Sequence, residues 1–548
     1  MGSTVADLVV DSMIANGIDH LYCLPGVQND PLFDALYGRQ DVIRPVHTRH
    51  EQGAVYMALG AALATGRPQA FALVPGPGFL NGCAALCTAQ ALNAPIFGLV
   101  GQIPSRAIGK GFGLLHEIDG QLETFKTLTK HAERVTDGTA AADRINRAWA
   151  ALRSGRPRPV GLEIPVDVWR QETGHDRGAP AVVEPAPTAA DPAHIERAAT
   201  LIATSRRPLI AVGSGAQDHS AGVRDLASGI GAGVMAFRTG HGVMDSRDPL
   251  SITMPVGHAL WRDCDLIIGL GTRLTAQKLD WGVDEHLKIL HIDVDGAVLD
   301  RITPATVGIQ AHLGAALPAL RNALGEQPDR SDWMSRIAEE KERFKAEIAT
   351  ELAPQLGWLE AIRDALPDDG IFVDELTQIG YVSRFAFPAY APRTFLSTGY
   401  QGTLGWGIAT ALGAAHARPD VPVVSIAGDG GAMFTISELA TAAHHDIPLN
   451  VVVMKDNAYG NVKSIQRDNY GGRYIASDLT SPDFVGLAKS CGVSAARAET
   501  PEALSDELRA AIAHPGPNLI EVPVGAFPSP WRYIRLPRVR GAGGSGRG

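Results

Sequence analysis

Val421-Pro422-Val423-Val424-Ser425-Ile426-Ala427 runs directly into Gly428-Asp429-Gly430-Gly431, and Asn457 follows 28 positions after Asp429. The first run is apolar and β-branched, the pattern of a strand buried on both faces of a parallel sheet. Residues 437–445 have helical spacing, and Leu449 to Met454 (LNVVVM) reads as a second buried strand, ending in Lys455-Asp456-Asn457. The segment is therefore a β-α-β unit with Asp429 and Asn457 at the carboxyl ends of its strands, the edge where open α/β sheets bind ligands. One carboxylate and one amide oxygen suit a hard cation such as Mg²⁺, which takes few protein oxygens and completes its shell with water and phosphate. Backbone N–H groups around Gly428, Gly430 and Gly431, and at the start of the helix that follows, can receive the phosphate. A lone Gly-Asp-Gly is about as often a plain strand-to-helix turn. The helix, second strand and Asn at this spacing argue for a metal–diphosphate site.

On these residues the segment resembles the Mg²⁺–diphosphate motif of thiamine-diphosphate (ThDP) enzymes. The resemblance implies metal ligation by Asp429, Asn457 and the backbone oxygen of Tyr459, with Gly460 and Asn461 beside the diphosphate. A distant stretch agrees. His50-Glu51-Gln52-Gly53-Ala54 opens a small-residue helix after the strand-like VIRPVH. Alone, Glu51 would be a helix-start acid at the positive end of the helix dipole. In the family, a Glu at this place bonds N1′ of the aminopyrimidine and shares a proton with it. The ring then reaches the imino form that deprotonates thiazolium C2. By the same resemblance, Pro25, Gly26, Gly78 and Asn81 surround that ring. Thr377, Gln378 and Thr403 lie along the cofactor. The Gly402 carbonyl contacts the 4′-amino group, and Leu404 props the cofactor into a bent V.

The similarity extends over nearly the whole chain and is most specific for the acetolactate-synthase-like branch. Its runs are LPGVQNDPLFDAL (24–36), TRHEQGAVYMALGAALATGRP (48–68), VPGPGFLNG (74–82), NAPIFGLVGQIP (93–104), LTKHAERV (128–135) and GDGGAMFTISELATAAHHDIPLNVVVMKDNAYG (428–460). It implies an α/β fold of three doubly wound parallel-sheet domains: a pyrimidine-binding domain at 1–170, a Rossmann-like domain at 191–330 and a diphosphate/Mg²⁺-binding domain at 355–535. It also implies a homodimer or homotetramer, with Glu51 and Asp429 of different subunits sharing one site at the interface.

Several residues depart from the acetolactate synthases. Their Phe-Gln-Glu triplet is Leu115-His116-Glu117 here, so His116 replaces a Gln that faces the thiazolium. The Trp that shapes their acceptor pocket becomes Ile465, with Val462 nearby. The Arg-Phe-Asp-Asp-Arg run associated with flavin becomes Thr272 to Gln277, which argues against FAD. Related lyases and decarboxylases carry a His in the loop after the first strand or at the Val74–Gly78 turn. This chain offers Gln28 and Asn29 in the loop and no His at the turn. Catalytic roles are therefore expected for Glu51, His116, Gln28 and Asn29. The expected activity is making or breaking C–C bonds next to a carbonyl, as a 2-oxo acid decarboxylase or carboligase. The alternatives are an acyloin lyase, a 1,2-diketone C–C hydrolase and a catalytically silent ThDP-binding paralogue.

Composition sets the outer bounds. A chain of 548 residues exceeds one core and fits about three domains. A net charge of −10 gives no general attraction to nucleic acid or anionic membrane. No apolar run approaches the length of a membrane span. The N-terminus reads as an amphipathic helix, not a signal peptide. The five cysteines form no Cys-x-x-Cys, consistent with a reduced, cytoplasmic protein. Gln171 to Pro192 reads as an inter-domain linker, Ser331 to Leu352 as a charged helix, and the Gly-rich basic tail from Arg538 as disordered.

Overall fold

The long apolar runs become strands, and the strands form three six-stranded parallel sheets with helices between them. The computed structural model describes residues 3–174 and 187–541. The first sheet holds β1 (His20–Cys23), β2 (Arg44–His47), β3 (Gln69–Leu73), β4 (Ile96–Gln102), β5 (His131–Arg134) and β6 (Val160–Pro165), in the order β2-β1-β3-β4-β6-β5. The second holds β7 (Pro208–Val212), β8 (Gly233–Ala236), β9 (Ser251–Ile252), β10 (Leu266–Leu270), β11 (Lys288–Asp293) and β12 (Val307–Gln310), in the order β12-β11-β10-β7-β8-β9. The third holds β13 (Ile371–Val373), β14 (Phe395–Leu396), β15 (Val423–Gly428), β16 (Leu449–Lys455), β17 (Ser494–Arg497) and β18 (Asn518–Pro523), and from β13 inward runs β13-β15-β16-β18-β17.

The chain divides into two compact units. One gathers Met1–Pro185, Gly370–Thr377 and Thr398–Val524. The other gathers Ala186–Asp369, Gln378–Ser397 and Gly525–Gly548, and its core lies between the second sheet and its flanking helices.

Strand order places the functional edges of the first unit. In the first sheet β1 pairs with β2 on one side and β3 on the other, so the chain reverses direction between β1 and β3. The crevice there is bordered by the loop after β1, which carries Pro25, Gly26, Gln28 and Asn29, and by the Val74–Gly78 turn after β3. In the third sheet β15 lies between β13 and β16. The ends of β13 and β15 deliver Asp374-Glu375 and Asp429. Such reversals are the ligand-binding points of doubly wound sheets.

Two helices hold these edges together. Glu51–Thr65 and Trp406–Ala417 are buried over most of their length and rich in Ala and Gly. They touch backbone to backbone: a Cβ on Gly60 would lie 1.9 Å from the Thr410 carbonyl oxygen, and one on Gly413 would lie 2.0 Å from that of Met57. Only glycine fits at either crossing.

The short strands β5, β8, β9 and β12 were not signalled by the sequence. Each spans four residues or fewer, and β5, β9 and β12 lie at sheet edges with incomplete burial. Most of the expected linker, and the tail beyond residue 541, lie outside the described residues. The start of the tail is a correction to the expectation of disorder. The Val539 and Arg540 amides donate to the Trp281 carbonyl at 2.9 and 3.1 Å. The Arg540 guanidinium is buried on the Trp261, Arg262 and Cys264 carbonyls and on Asp284. An arginine that caps orphan carbonyls is fixed by those bonds, whatever the glycines beyond it do.

Gly413→Ala should lower stability by about 3 kcal/mol, because the added methyl must push two buried backbones apart. An alanine at solvent-facing Gly155, where the backbone is left-handed but a Cβ meets nothing within 4 Å, should cost only about 1 kcal/mol. Denaturant midpoints of the two variants check the contrast.

Candidate active site

Glu51 is the first residue of its helix. His50 precedes it as N-cap, with Nδ1 accepting from the Gln52 amide at 3.1 Å. Two further carboxylate or amide contacts define its setting. Asn81 Nδ2 donates to Glu51 Oε2 at 3.0 Å. The backbone just before Glu51 is held by Glu438, whose Oε2 accepts from Arg49 N–H at 3.1 Å and whose Oε1 accepts from His50 N–H at 3.0 Å. Glu438 is fully buried, also accepts from Thr441 Oγ1 at 2.5 Å, and has its carboxyl pushed up by burial. It serves as an N-terminal cap supplied from a distant segment, and Gly53 leaves room for it: a Cβ there would lie 2.3 Å from Glu438 Oε1.

The loops around Glu51 are packed to the limit. Val74 sits between Gly26 and Gly78, and a Cβ on either glycine would come within 2.5 Å of a Val74 methyl. From Gly78 the same Cβ would be 3.4 Å from Glu51 Oε1. Gly76, at φ +62°, donates its amide to Gln121 Oε1 at 2.8 Å and lies against the His116 carbonyl. Pro25 is part of the same loop, exposed beside half-buried Gly26.

His116 and Gln28 are brought together. Gln28 is buried, and its Nε2 donates to the Leu115 carbonyl at 3.1 Å, which leaves Oε1 as acceptor toward His116 Nδ1, also at 3.1 Å. Nδ1 is therefore the ring nitrogen that carries hydrogen, and Nε2 is the one left to act on a ligand. His116 adopts φ +67°, a conformation that costs a non-glycine residue about 1–2 kcal/mol and is retained only where packing imposes it. Asn29 is placed differently from the expectation of a catalytic group. It is wholly buried, donates to the Leu73 carbonyl at 2.8 Å and packs on Gly101. It fixes the loop to β3, while its Oδ1 is buried without a hydrogen-bond partner.

At the third sheet, Asp429 is buried at the end of β15. Its Oδ2 accepts from the Asn457 amide at 2.8 Å and from Ser481 Oγ at 2.5 Å. Asn457 has φ +54°, which Asn tolerates better than most residues, and its side chain is exposed. Tyr459 donates its amide to the Ser477 carbonyl at 2.8 Å and lays its ring against Gly430. Asp456 is the informative neighbour. Burial, and next the charge on Asp429, push its carboxyl up to about 6. Two acids crowded at a strand end are the arrangement that a divalent cation relieves, so this donor set fits Mg²⁺. Gly428, Gly430 and Gly431 supply turn amides above it, and Thr377 lies against Gly428. Gln378 opens the helix Gln378–Ala386. Gly402, Thr403 and Leu404 form the partly exposed approach to helix Trp406–Ala417, with Gly402 at φ +58° and Thr403 Oγ1 3.0 Å from Thr88 Oγ1. Gly460, Asn461, Val462 and Ile465 lie on helix Gly460–Asn469, no residue of which is buried; Val462 is exposed and Ile465 half-buried.

Sequence reasoning missed Glu375. It is fully buried at the end of β13, and Oε2 accepts from the Gly407 amide at 2.9 Å while Oε1 has no partner. It packs against Gly431 of the Asp429 turn. Burial pushes its carboxyl up to about 8. The available signal was the pair Asp374-Glu375 directly after the apolar run Ile371-Phe372-Val373, where a parallel strand delivers its functional side chains. Ser481 and Glu438 had no such signal.

Comparison with known proteins matches the chain in three places to family models for thiamine pyrophosphate enzymes: the N-terminal TPP binding domain at residues 3–125, the central domain at 195–320 and the C-terminal TPP binding domain at 377–522. The chain is 31% identical over 527 residues to the "Probable 2-ketoarginine decarboxylase AruI" of Pseudomonas aeruginosa, covering 93% of this chain and 92% of that protein. It is 31% identical over 557 residues to the "Probable acetolactate synthase large subunit" of Methanocaldococcus jannaschii, covering 95% and 93%. It is 30% identical over 540 residues to the "Acetolactate synthase isozyme 1 large subunit" of Escherichia coli, covering 95% and 94%.

The raised Glu375 carboxyl gives a pH test in the cofactor-free protein. The folded state holds this proton up to about pH 8, whereas an unfolded Glu releases it near pH 4.3. The group's contribution is thus complete below about pH 4.3 and is lost as pH rises toward 8. Glu375→Gln should gain stability relative to the parent between pH 5 and pH 8, by at least about 1 kcal/mol. A melting-temperature difference that stays constant across that range would show that Glu375 carries no proton.

Proposed function

Because this chain belongs to the thiamine pyrophosphate enzymes, in their acetolactate-synthase-like branch, we propose that it is a Mg²⁺-dependent 2-oxo acid decarboxylase or carboligase. The observation that carries this reading is the setting of Glu51: a carboxylate at a helix start, with its backbone locked by Glu438, one oxygen held by Asn81 and the other beside Gly78. A silent cofactor-binding protein has no use for an acid held this way.

Bound thiamine diphosphate supplies a nucleophilic carbon and an electron sink for a carbonyl substrate. The chain supplies the rest. Glu51 holds or releases a proton at the pyrimidine ring, and Asn81 keeps its carboxylate from rotating away. Asp429, Asn457 and the Tyr459 carbonyl would hold Mg²⁺, with turn amides at Gly430 and Gly431 toward the diphosphate. Gln28 accepts the hydrogen on His116 Nδ1, and so aims His116 Nε2 as a proton donor or acceptor for substrate oxygen. An imidazole can pass a proton on, which the relatives' amide at this position cannot do. Val462 and Ile465 offer an apolar wall on the helix after the metal loop. Glu51 and Asp429 would meet across two subunits, as family resemblance implies.

Glu51→Gln should keep fold and cofactor affinity and lower kcat on 2-oxo acids by about 10²-fold or more. The panel should include linear, branched and guanidino-bearing 2-oxo acids, with CO2 release and product mass as readouts. Near-normal turnover in this variant would sink the assignment. Asp429→Ala should abolish Mg²⁺-dependent retention of thiamine diphosphate, since it removes the only charged ligand. Copurification with stoichiometric cofactor in that variant would move the metal site elsewhere.

A further inference from the structure

A second cluster lies away from the residues used above. His47 ends β2, His444 ends the helix Glu438–His444, and His445 is its C-cap. The three rings meet edge to face, with centroids 4.7 Å apart for His47–His444, 5.0 Å for His47–His445 and 4.7 Å for His444–His445. One ring nitrogen from each lies within 4.8 Å of the others, and no other trio of His, Cys, Asp or Glu does so among the described residues. His47 and His445 are half-buried and His444 is exposed, so the cluster opens to solvent on one side.

The hydrogen bonding suits a metal. His445 Nε2 is 3.2 Å from the His47 carbonyl oxygen, and a carbonyl can only accept, so Nε2 carries the hydrogen. The neutral ring then presents the Nδ1 lone pair. A ring N–H given to a backbone carbonyl is the usual support of a metal-binding imidazole, because it fixes tautomer and orientation. Burial first, and then the neighbouring positive groups, hold His47 and His445 below the ordinary imidazole range. Arg49 is one of those groups and opposes a cation, whereas Glu438 sits at the other end of the same helix.

We propose that His47, His444 and His445 form a three-imidazole site for a first-row transition cation, Zn²⁺ foremost, with water as fourth ligand. Imidazole selects such ions over Mg²⁺, which takes oxygen ligands. Tetrahedral Zn²⁺ at about 2.0–2.1 Å from each nitrogen needs ligand atoms roughly 3.3 Å apart. The trio therefore closes by about an ångström or more through side-chain rotation, and exposed His444 is the ring free to move. A bound ion would tie the end of β2 to the end of helix Glu438–His444. Glu438 already ties the start of that helix to Arg49 and His50. The turn that presents Glu51 would then be clamped at both ends.

The test uses untagged holoprotein with saturating Mg²⁺ and thiamine diphosphate, titrated with Zn²⁺ against a chromogenic chelator and, separately, with Co²⁺. One Zn²⁺ per chain that excess Mg²⁺ does not displace, and a tetrahedral Co²⁺ absorption band, are expected. His444→Gln, at an exposed position, should weaken binding at least tenfold with unchanged melting temperature, and His47→Ala should do the same. Asp429→Ala should leave Zn²⁺ binding intact, which separates this site from the Mg²⁺ site. Binding no tighter in the parent than in His444→Gln, or loss of the ion in Asp429→Ala, would overturn the proposal.

Discussion

The first unit depends on a single close contact: helices Glu51–Thr65 and Trp406–Ala417 cross with backbone against backbone at Gly60 and Gly413. Separations this short exclude every side chain, which explains the glycines at the crossing and the many alanines around it. The contact has a functional consequence because each helix begins at a candidate half-site. One presents Glu51; the other opens after Gly402 to Gly405 and gives its Gly407 amide to Glu375. Displacing either helix would move Glu51 relative to the glycine-rich segment. The Glu438 cap works in the same sense, because it fixes the amides just before Glu51 from the segment that follows Asp429.

Around that contact, sheet topology repeats one solution. The first and third sheets each reverse direction beside their first strand, and each reversal gathers two loops at carboxyl strand ends. Below the first reversal lie the Gly26 and Gly78 loops with Val74 wedged between them. Below the third lie Glu375 and Asp429. The two edges differ in chemistry. The first gathers glycines, Val74 and the Gln28 and Asn81 amides around Glu51, which suits an aromatic ring. The third concentrates acids and turn amides, which suits a cation and an anion bound together.

The parts of this arrangement legible in the sequence were those whose signal is local. Buried parallel strands such as Val423–Gly428 and Leu449–Lys455 announce themselves as continuous apolar runs, and the Gly-Asp-Gly turn with its distant Asn is a fixed spacing. Short edge strands gave no such run. His116 and Gln28 were expected near one another only through resemblance, and their hydrogen bond depends on a left-handed residue that no sequence pattern marks. Asn29 was expected in a catalytic role, and the structure gives it a structural contact. Its burial against Leu73 and Gly101 is a long-range feature that a loop position in the sequence does not reveal. Glu438 and Glu375 act through contacts with residues far away in the chain, and a lone Glu has no periodicity to betray it.

Three acids buried in the same unit show how neighbours set the fate of a carboxyl group. Glu438 accepts two backbone amides and a hydroxyl; these lower its pKa while burial raises it. Asp429 accepts an amide and a hydroxyl, and its neighbour Asp456 is raised first by burial and next by the Asp429 charge. Glu375 has a single clear donor and one oxygen with none, and burial dominates. An unpaired buried carboxylate is far costlier than a neutral acid, so burial favours a proton on Glu375. A neutral acid packed against Gly431 can donate a hydrogen bond toward the Asp429 turn. That places a proton donor beside the segment expected to receive a diphosphate, and it follows from packing alone.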